Sequence, residues 1–166
     1  MPQLSPWHMA DDVNKEVQRD NHFEVNITGV GGDIVTLAIN SSSLPTLTVP
    51  QVELNHGNGV VKVAGQPEVD DVTIEVKDFV GDDVEAILYE WFTEVYNPED
   101  DTIGMASDYK RDGYIYQYSP DESVKRTWNL YGIWPTSFDG GDMNYEGSDQ
   151  KLISLTLSVD RAIREI

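Results

Sequence analysis

Cysteine is absent from the 166-residue chain, which excludes disulfide staples, thiolate zinc sites and cysteine nucleophiles. Basic residues are few: 11 lysines and arginines face 30 aspartates and glutamates, a formal charge of -19. Such a surface repels phosphate and anionic lipid, so conventional DNA binding and membrane docking are disfavoured. Adaptation to a saline habitat would produce the same balance. No apolar run is long enough to cross a bilayer, and residues 1–13 lack a basic stretch followed by an apolar one. A soluble chain without an export signal is therefore expected. The length suits one domain with a core large enough to dispense with staples.

Residue groupings that carry chemistry are also sparse. His8, His22 and His56 fall in unrelated segments without ligand spacing, which argues against a histidine metal site. Asp139-Gly140-Gly141-Asp142 loosely evokes a calcium loop but lacks the ligand spacing of an EF-hand. Ser137 and the Ser41-Ser42-Ser43 run have no nucleophile-elbow sequence around them. Among 30 acids some facing pair of carboxylates is inevitable, so a glycosidase reading has no specific support. No catalytic, metal-binding or cofactor-binding residue is predicted, and a non-enzyme is expected.

What the chain does contain is strand periodicity. Residues 1–21 read as an extended arm, and residues 22–28 alternate Phe23, Val25 and Ile27 with polar neighbours. The glycines at 29, 31 and 32 tolerate positive φ. Residues 34–40 read as a returning strand, which makes a β-hairpin and excludes a phosphate cradle. Residues 46–54 form a strand whose apolar phase shifts at Pro50, as at a bulge or edge. Residues 55–71 are a long polar connection, and residues 72–78 alternate Val72, Ile74 and Val76 with Thr73, Glu75 and Lys77. A helix is predicted over 82–97, capped by Asp82 with Glu85 completing a capping box. Val84, Ile87, Leu88, Trp91, Phe92 and Val95 give it one apolar stripe. Residues 99–111 read as a loop and 114–118 as a strand. Residues 124–133 form a strand stopped by a stiff corner at Trp134-Pro135. Residues 138–150 are an acidic, glycine-rich connection, and residues 152–159 form a strand with one greasy and one hydroxyl face. About seven strands and one helix indicate a mainly β fold, two packed antiparallel sheets or a partly open barrel with a flanking α-helix.

Several stretches together resemble one family. They are GVVKVAGQPEVDDVTIEVKD at 59–78, Trp91 followed by Tyr96-Asn97-Pro98, Ile103-Gly104-Met105-Ala106 leading to Tyr109-Lys110, RTWNLYGIWP at 126–135, Asp142-Met143-Asn144-Tyr145, and the closing ISLTLSVDRA. In order, over residues 22–166, they resemble the tail tube proteins of contractile-tailed bacteriophages. The resemblance implies a β domain at 22–166 whose copies form stacked hexameric rings, with one sheet of each joined into a ring-wide β-barrel around a channel. It implies that the 55–71 loop, with His56, Asn58, Lys62, Val63, Gln66 and Glu68, reaches the adjacent ring. It further implies a virion protein assembled in the host cytoplasm. The implied partners are tail sheath, baseplate or tube initiator and tail terminator proteins, with tape measure protein and genomic DNA passing through the lumen. A lumen that passes DNA without gripping it should present acids and hydroxyls, Thr73 and Glu75 among them. The alternatives are the inner tube of a phage-derived injection device, which shares the fold, a carbohydrate-binding β-sandwich using exposed Trp and Tyr, and an acidic hydrolase; Trp128, Tyr131 and Trp134, which alternate on strands, more often fill a core or an interface.

Overall fold

The computed structural model describes residues 17–165; most of the expected arm, residues 1–16 with His8, lies outside them. The elements in chain order are β1 (Phe23–Ile27), α1 (Gly32–Ala38), β2 (Ile39–Ser42), β3 (Leu47–Thr48), β4 (Gln51–His56), β5 (Gly59–Ala64), β6 (Glu68–Val69) and β7 (Val72–Lys77). They continue with α2 (Val84–Val95), β8 (Tyr96–Asn97), β9 (Thr102–Ile103), α3 (Ala106–Tyr109), β10 (Arg111–Tyr118), β11 (Val124–Asp139), β12 (Leu152–Ser158) and β13 (Arg161–Arg164).

The main sheet is antiparallel and seven-stranded, in the order β1-β10-β11-β12-β7-β2, with β13 also on β11. The long strand β11 makes this one sheet into two layers. Its first part pairs with β10 and β13, and its last part, from Trp134, pairs with β12. Val25, Ile27, Ile115 and Leu130 from one half share a single buried cluster with Ile74, Val76, Leu155 and Leu157 from the other. Strict alternation puts every second residue of β7 and β12 in that core, because successive side chains on a strand point to opposite faces.

Two strand expectations are corrected. Trp134-Pro135 does not stop the strand: β11 runs through it, and Pro135, fully buried, pairs with Leu157 just before a register shift at Ser137. Proline is compatible with extended backbone and loses only its N–H, so it fits where the strand changes layers and a bulge relieves the ladder. The expected returning strand at 34–40 is instead α1, followed by the short β2. Its β-branched composition suggested a strand, but Val35 and Ala38, three apart, are the residues it buries, and that spacing is helical. The glycines before it do adopt positive φ, at Gly29, Gly31 and Gly32.

Helix α2 is capped by Asp83 rather than Asp82: the Asp83 carboxylate accepts a hydrogen bond from the Ala86 backbone N–H at 3.0 Å. Glu85 does not close a capping box but accepts from Lys151 Nζ. The predicted apolar stripe is present, with Val84, Leu88, Trp91 and Val95 buried. The indole N–H of Trp91 donates to the Tyr109 carbonyl at 2.9 Å, which ties α3 to the helix.

Gly132 supplies the bend of β11 just before the change of layer. Its φ is +65°, and a Cβ there would collide with the Asp160 carboxylate, which is held by Lys110 at 2.5 Å. Gly132→Ala is expected to lose about 1–2 kcal/mol from the left-handed backbone alone, and more from the collision. Urea unfolding of the purified variant measures this; an unchanged midpoint would contradict it.

Candidate functional site

Three surfaces stand out, and the residues expected to act in assembly lie on two of them. The first is a hairpin. Where a long polar connection was expected over residues 55–71, β4 and β5 pair in register from Gln51↔Ala64 to His56↔Gly59, and β6 pairs back with β3. The connection is thus a two-stranded ribbon extending the β2/β7 ladder. The apolar phase shift at Pro50 falls in the gap between β3 and β4, where its carbonyl accepts from Gly65 N–H at 2.7 Å. His56 and Asn58 sit at the tip, Lys62 and Val63 on β5, Gln66 between strands and Glu68 on β6.

Every residue of β4 and β5 is exposed, yet the ribbon is amphipathic. Val52 faces Val63 and Leu54 faces Val61 on one side, while Glu53 faces Lys62 on the other. The four apolar side chains are 42% to 56% exposed. A lone two-stranded hairpin is at best marginally stable in water, and an apolar strip left uncovered by the described residues marks a contact surface. Val52, Leu54 and Val61 were absent from the residues expected to make this contact. Their signal was the run Val60-Val61-Lys62-Val63 set against Val52 and Leu54 across Gly57-Asn58, a hairpin pattern.

The second surface is the outward side of the β11/β12/β7/β2 layer. Thr73 and Glu75 alternate with buried Val72, Ile74 and Val76 and point away from the core. Their register builds two rows. Glu75 lies between Ser41 and Ser154, with Asp139 beyond, and accepts from the Ser41 hydroxyl at 3.0 Å. Thr73 lies beside Thr156, with Ser137 beyond. The structure thus brings both predicted residues into a sheet of hydroxyls and carboxylates drawn from four strands; Lys77 closes one end of the face. Among the described residues no strand pairs with the outer margin of β2 or of residues 134–139.

The third surface belongs to the other layer, where Tyr114, Tyr116 and Tyr118 form a ladder with ring centroids 6.1 and 6.4 Å apart. The Tyr118 hydroxyl donates to Glu24 at 2.9 Å; burial, and then this bond, raise its pKa above the ordinary tyrosine value. The aromatic residues weighed for sugar binding are not assembled into a platform. Trp128 packs on the core and Trp134 on Tyr109, leaving Tyr131 exposed. Among the described residues no group of three or more His, Asp or Glu is placed to hold a metal ion.

Residues 19–162 match the family described as T4-like virus tail tube protein gp19. The chain belongs to that family. Tail tube protein gp19 of Enterobacteria phage T4 is 24% identical over 159 residues, covering 91% of this chain and 97% of that protein. The tail tube fold recurs in solved structures. A chain of the extended sheath-tube complex of the extracellular contractile injection system PVC superposes with a TM-score of 0.72 at 20% identity over 98% of each chain. The tube terminating cap of the anti-feeding prophage gives 0.71 at 22% identity, over 94% of this chain and 96% of that one. This protein is therefore a subunit of a contractile tail tube.

Proposed function

We propose that this subunit forms hexameric rings by joining its β11/β12/β7/β2 layer edge to edge with neighbours into a continuous barrel. The rings stack into the inner tube of a virion tail, with the hairpin reaching the next ring. Sheath, baseplate and terminator proteins surround and close the tube, and tape measure protein and genomic DNA pass through it. The observation that carries this reading is the layer itself. Among the described residues its margins at β2 and at residues 134–139 leave backbone donors and acceptors without strand partners, and closure of a ring satisfies them. Its outward face of Ser41, Thr73, Glu75, Ser154 and Thr156 offers the bore hydroxyls and a carboxylate, with the one cation of β7, Lys77, at its end. Lysine or arginine there would bind phosphate by counterion release; repulsion leaves DNA free to slide.

The test is Thr73→Lys combined with Glu75→Lys in assembled tubes. Wild-type tubes are expected not to retain double-stranded DNA, whereas the variant tubes retain it in low salt and release it as salt rises. Variant tubes of normal appearance that ignore DNA at every salt concentration would count against Thr73 and Glu75 lining the bore. Failure of the wild type to form rings or tubes under electron microscopy would count against the assembly itself.

A further inference from the structure

The apolar strip of the ribbon β4/β5 has no cover among the described residues, and the topology of a single chain indicates a receiving surface. In the β2/β7/β12 layer the ribbon leaves from the Val72 end, the end at which β12 finishes with Leu157↔Val72. At the opposite end Lys77 pairs with Leu152. Two connections meet there: the turn from Asp78 into α2, and the loop between β11 and β12. Lys151 ties them together through Asp78, at 3.5 Å, and Glu85. Its ammonium is held above the ordinary lysine pKa chiefly by the Glu85 bond.

That far end carries an unusual mixture. Val80, Met143 and Tyr145 are almost wholly exposed and Phe79 is 40% exposed, in segments otherwise crowded with Asp82, Asp83, Asp142, Glu146 and Asp149. The ribbon is its complement. Residues 51–64 hold one carboxylate, Glu53, against one ammonium, Lys62, in a chain of formal charge -19. They also hold the strip Val52, Leu54, Val61 and Val63. Stacking identical rings head to tail is a heterologous contact, so the docking patch must lie on the end of the subunit opposite the projection. Opposing acidic surfaces repel across such a junction. A net-neutral projection whose strip face carries no charged side chain is able to approach an acidic end.

We propose that the apolar strip of the ribbon seats on Phe79, Val80, Met143 and Tyr145 of a second copy in the next ring, with the Glu53–Lys62 pair on the ribbon's other face turned away from the carboxylates of those loops. The proposal rests on the stacked-ring reading above and specifies the receiving surface. The occupant is this chain's own ribbon, whose charge and apolar pattern match the patch.

The absence of cysteine makes the test direct. Val61→Cys and Val80→Cys are made as separate full-length variants, assembled together and treated with a short bismaleimide cross-linker. Val61→Cys mixed with Leu37→Cys, an exposed position on α1, is the control. The expected result is a covalent dimer from the first mixture, lost when tubes are dissociated before treatment, and absent from the control. Met143→Cys replaces Val80→Cys in a second pairing, so that one unfavourable thiol geometry does not decide the outcome. If electron microscopy shows tubes but neither pairing cross-links above the control, the receiving surface is wrong while stacking stands. If no tubes form from wild-type protein, the stacking reading fails and takes this proposal with it.

Discussion

Leu155→Ala is expected to destabilise the folded domain by about 2–5 kcal/mol, the range for truncating a fully buried leucine. Leu155 has no exposed surface and sits in the middle of β12, paired with Ile74 on one side and Phe138 on the other. The two layers share one core there, so the void cannot be filled by a surface side chain swinging inward. For a domain of this size the loss corresponds to a melting point lower by roughly 5–15 °C. Leu37→Ala serves as the control, since Leu37 is 78% exposed on α1 and should change stability by no more than about 0.5 kcal/mol. Equal melting points for the two variants would mean that the core is not where the structure puts it.

The second large effect falls on assembly and leaves folding alone. Replacing Val52, Leu54, Val61 and Val63 together by threonine keeps β-branched, strand-compatible side chains in the ribbon while removing its apolar strip. Full burial of such a side chain is worth about 1.5–3 kcal/mol. These four are roughly half exposed, so docking can gain about 1 kcal/mol from each. In the proposed stack of rings, losing about 4 kcal/mol weakens each ring-to-ring contact on the order of a thousandfold. Electron microscopy is expected to show separate rings in place of tubes, with the monomer's melting point nearly unchanged because none of the four lies in the core cluster. Tubes of normal length from the fourfold variant would show that the strip does not drive stacking.

A smaller effect concerns Lys151, which joins the two far-end connections. Because its folded pKa is raised, the stability it contributes is complete below the unfolded lysine value of about 10.4. It is lost as pH climbs through the folded value. The side chain is 30% exposed, and solvent screening keeps the contribution small. Lys151→Met should flatten the stability profile above pH about 10, as pH-dependent thermal melts would show.

Much of this was legible in the residues before any fold was in hand. The alternation in β7 and β12 assigned an inward and an outward face correctly, down to Thr73 and Glu75, because a strand's side chains have a period of two whatever surrounds them. The stripe of α2 was equally plain, with its cap misplaced by one residue, since adjacent aspartates offer the same carboxylate and only backbone geometry selects between them. Other features were opaque for definite reasons. Residues 34–38 carry β-branched side chains that favour a strand, yet burial of Val35 and Ala38 made a helix, as tertiary packing overrides weak local preference. Pro135 reads as a terminator in isolation, but proline in an extended segment forfeits only one donor, and whether that donor was needed depends on which strand lies alongside.

The amino-acid order alone settled the acidic, cysteine-free chemistry, the β-rich class, the faces of its clearest strands and, through ordered similarity over most of its length, the family. Those properties are local or compositional. Tertiary structure decided that β11 serves two layers, that residues 51–64 stand out as a ribbon, and that Ser41, Thr73, Glu75, Ser137 and Ser154 meet on one face. Register and layer membership are relations between segments far apart in the chain, and which distant strand offers the lowest free energy is determined only when all of them pack at once.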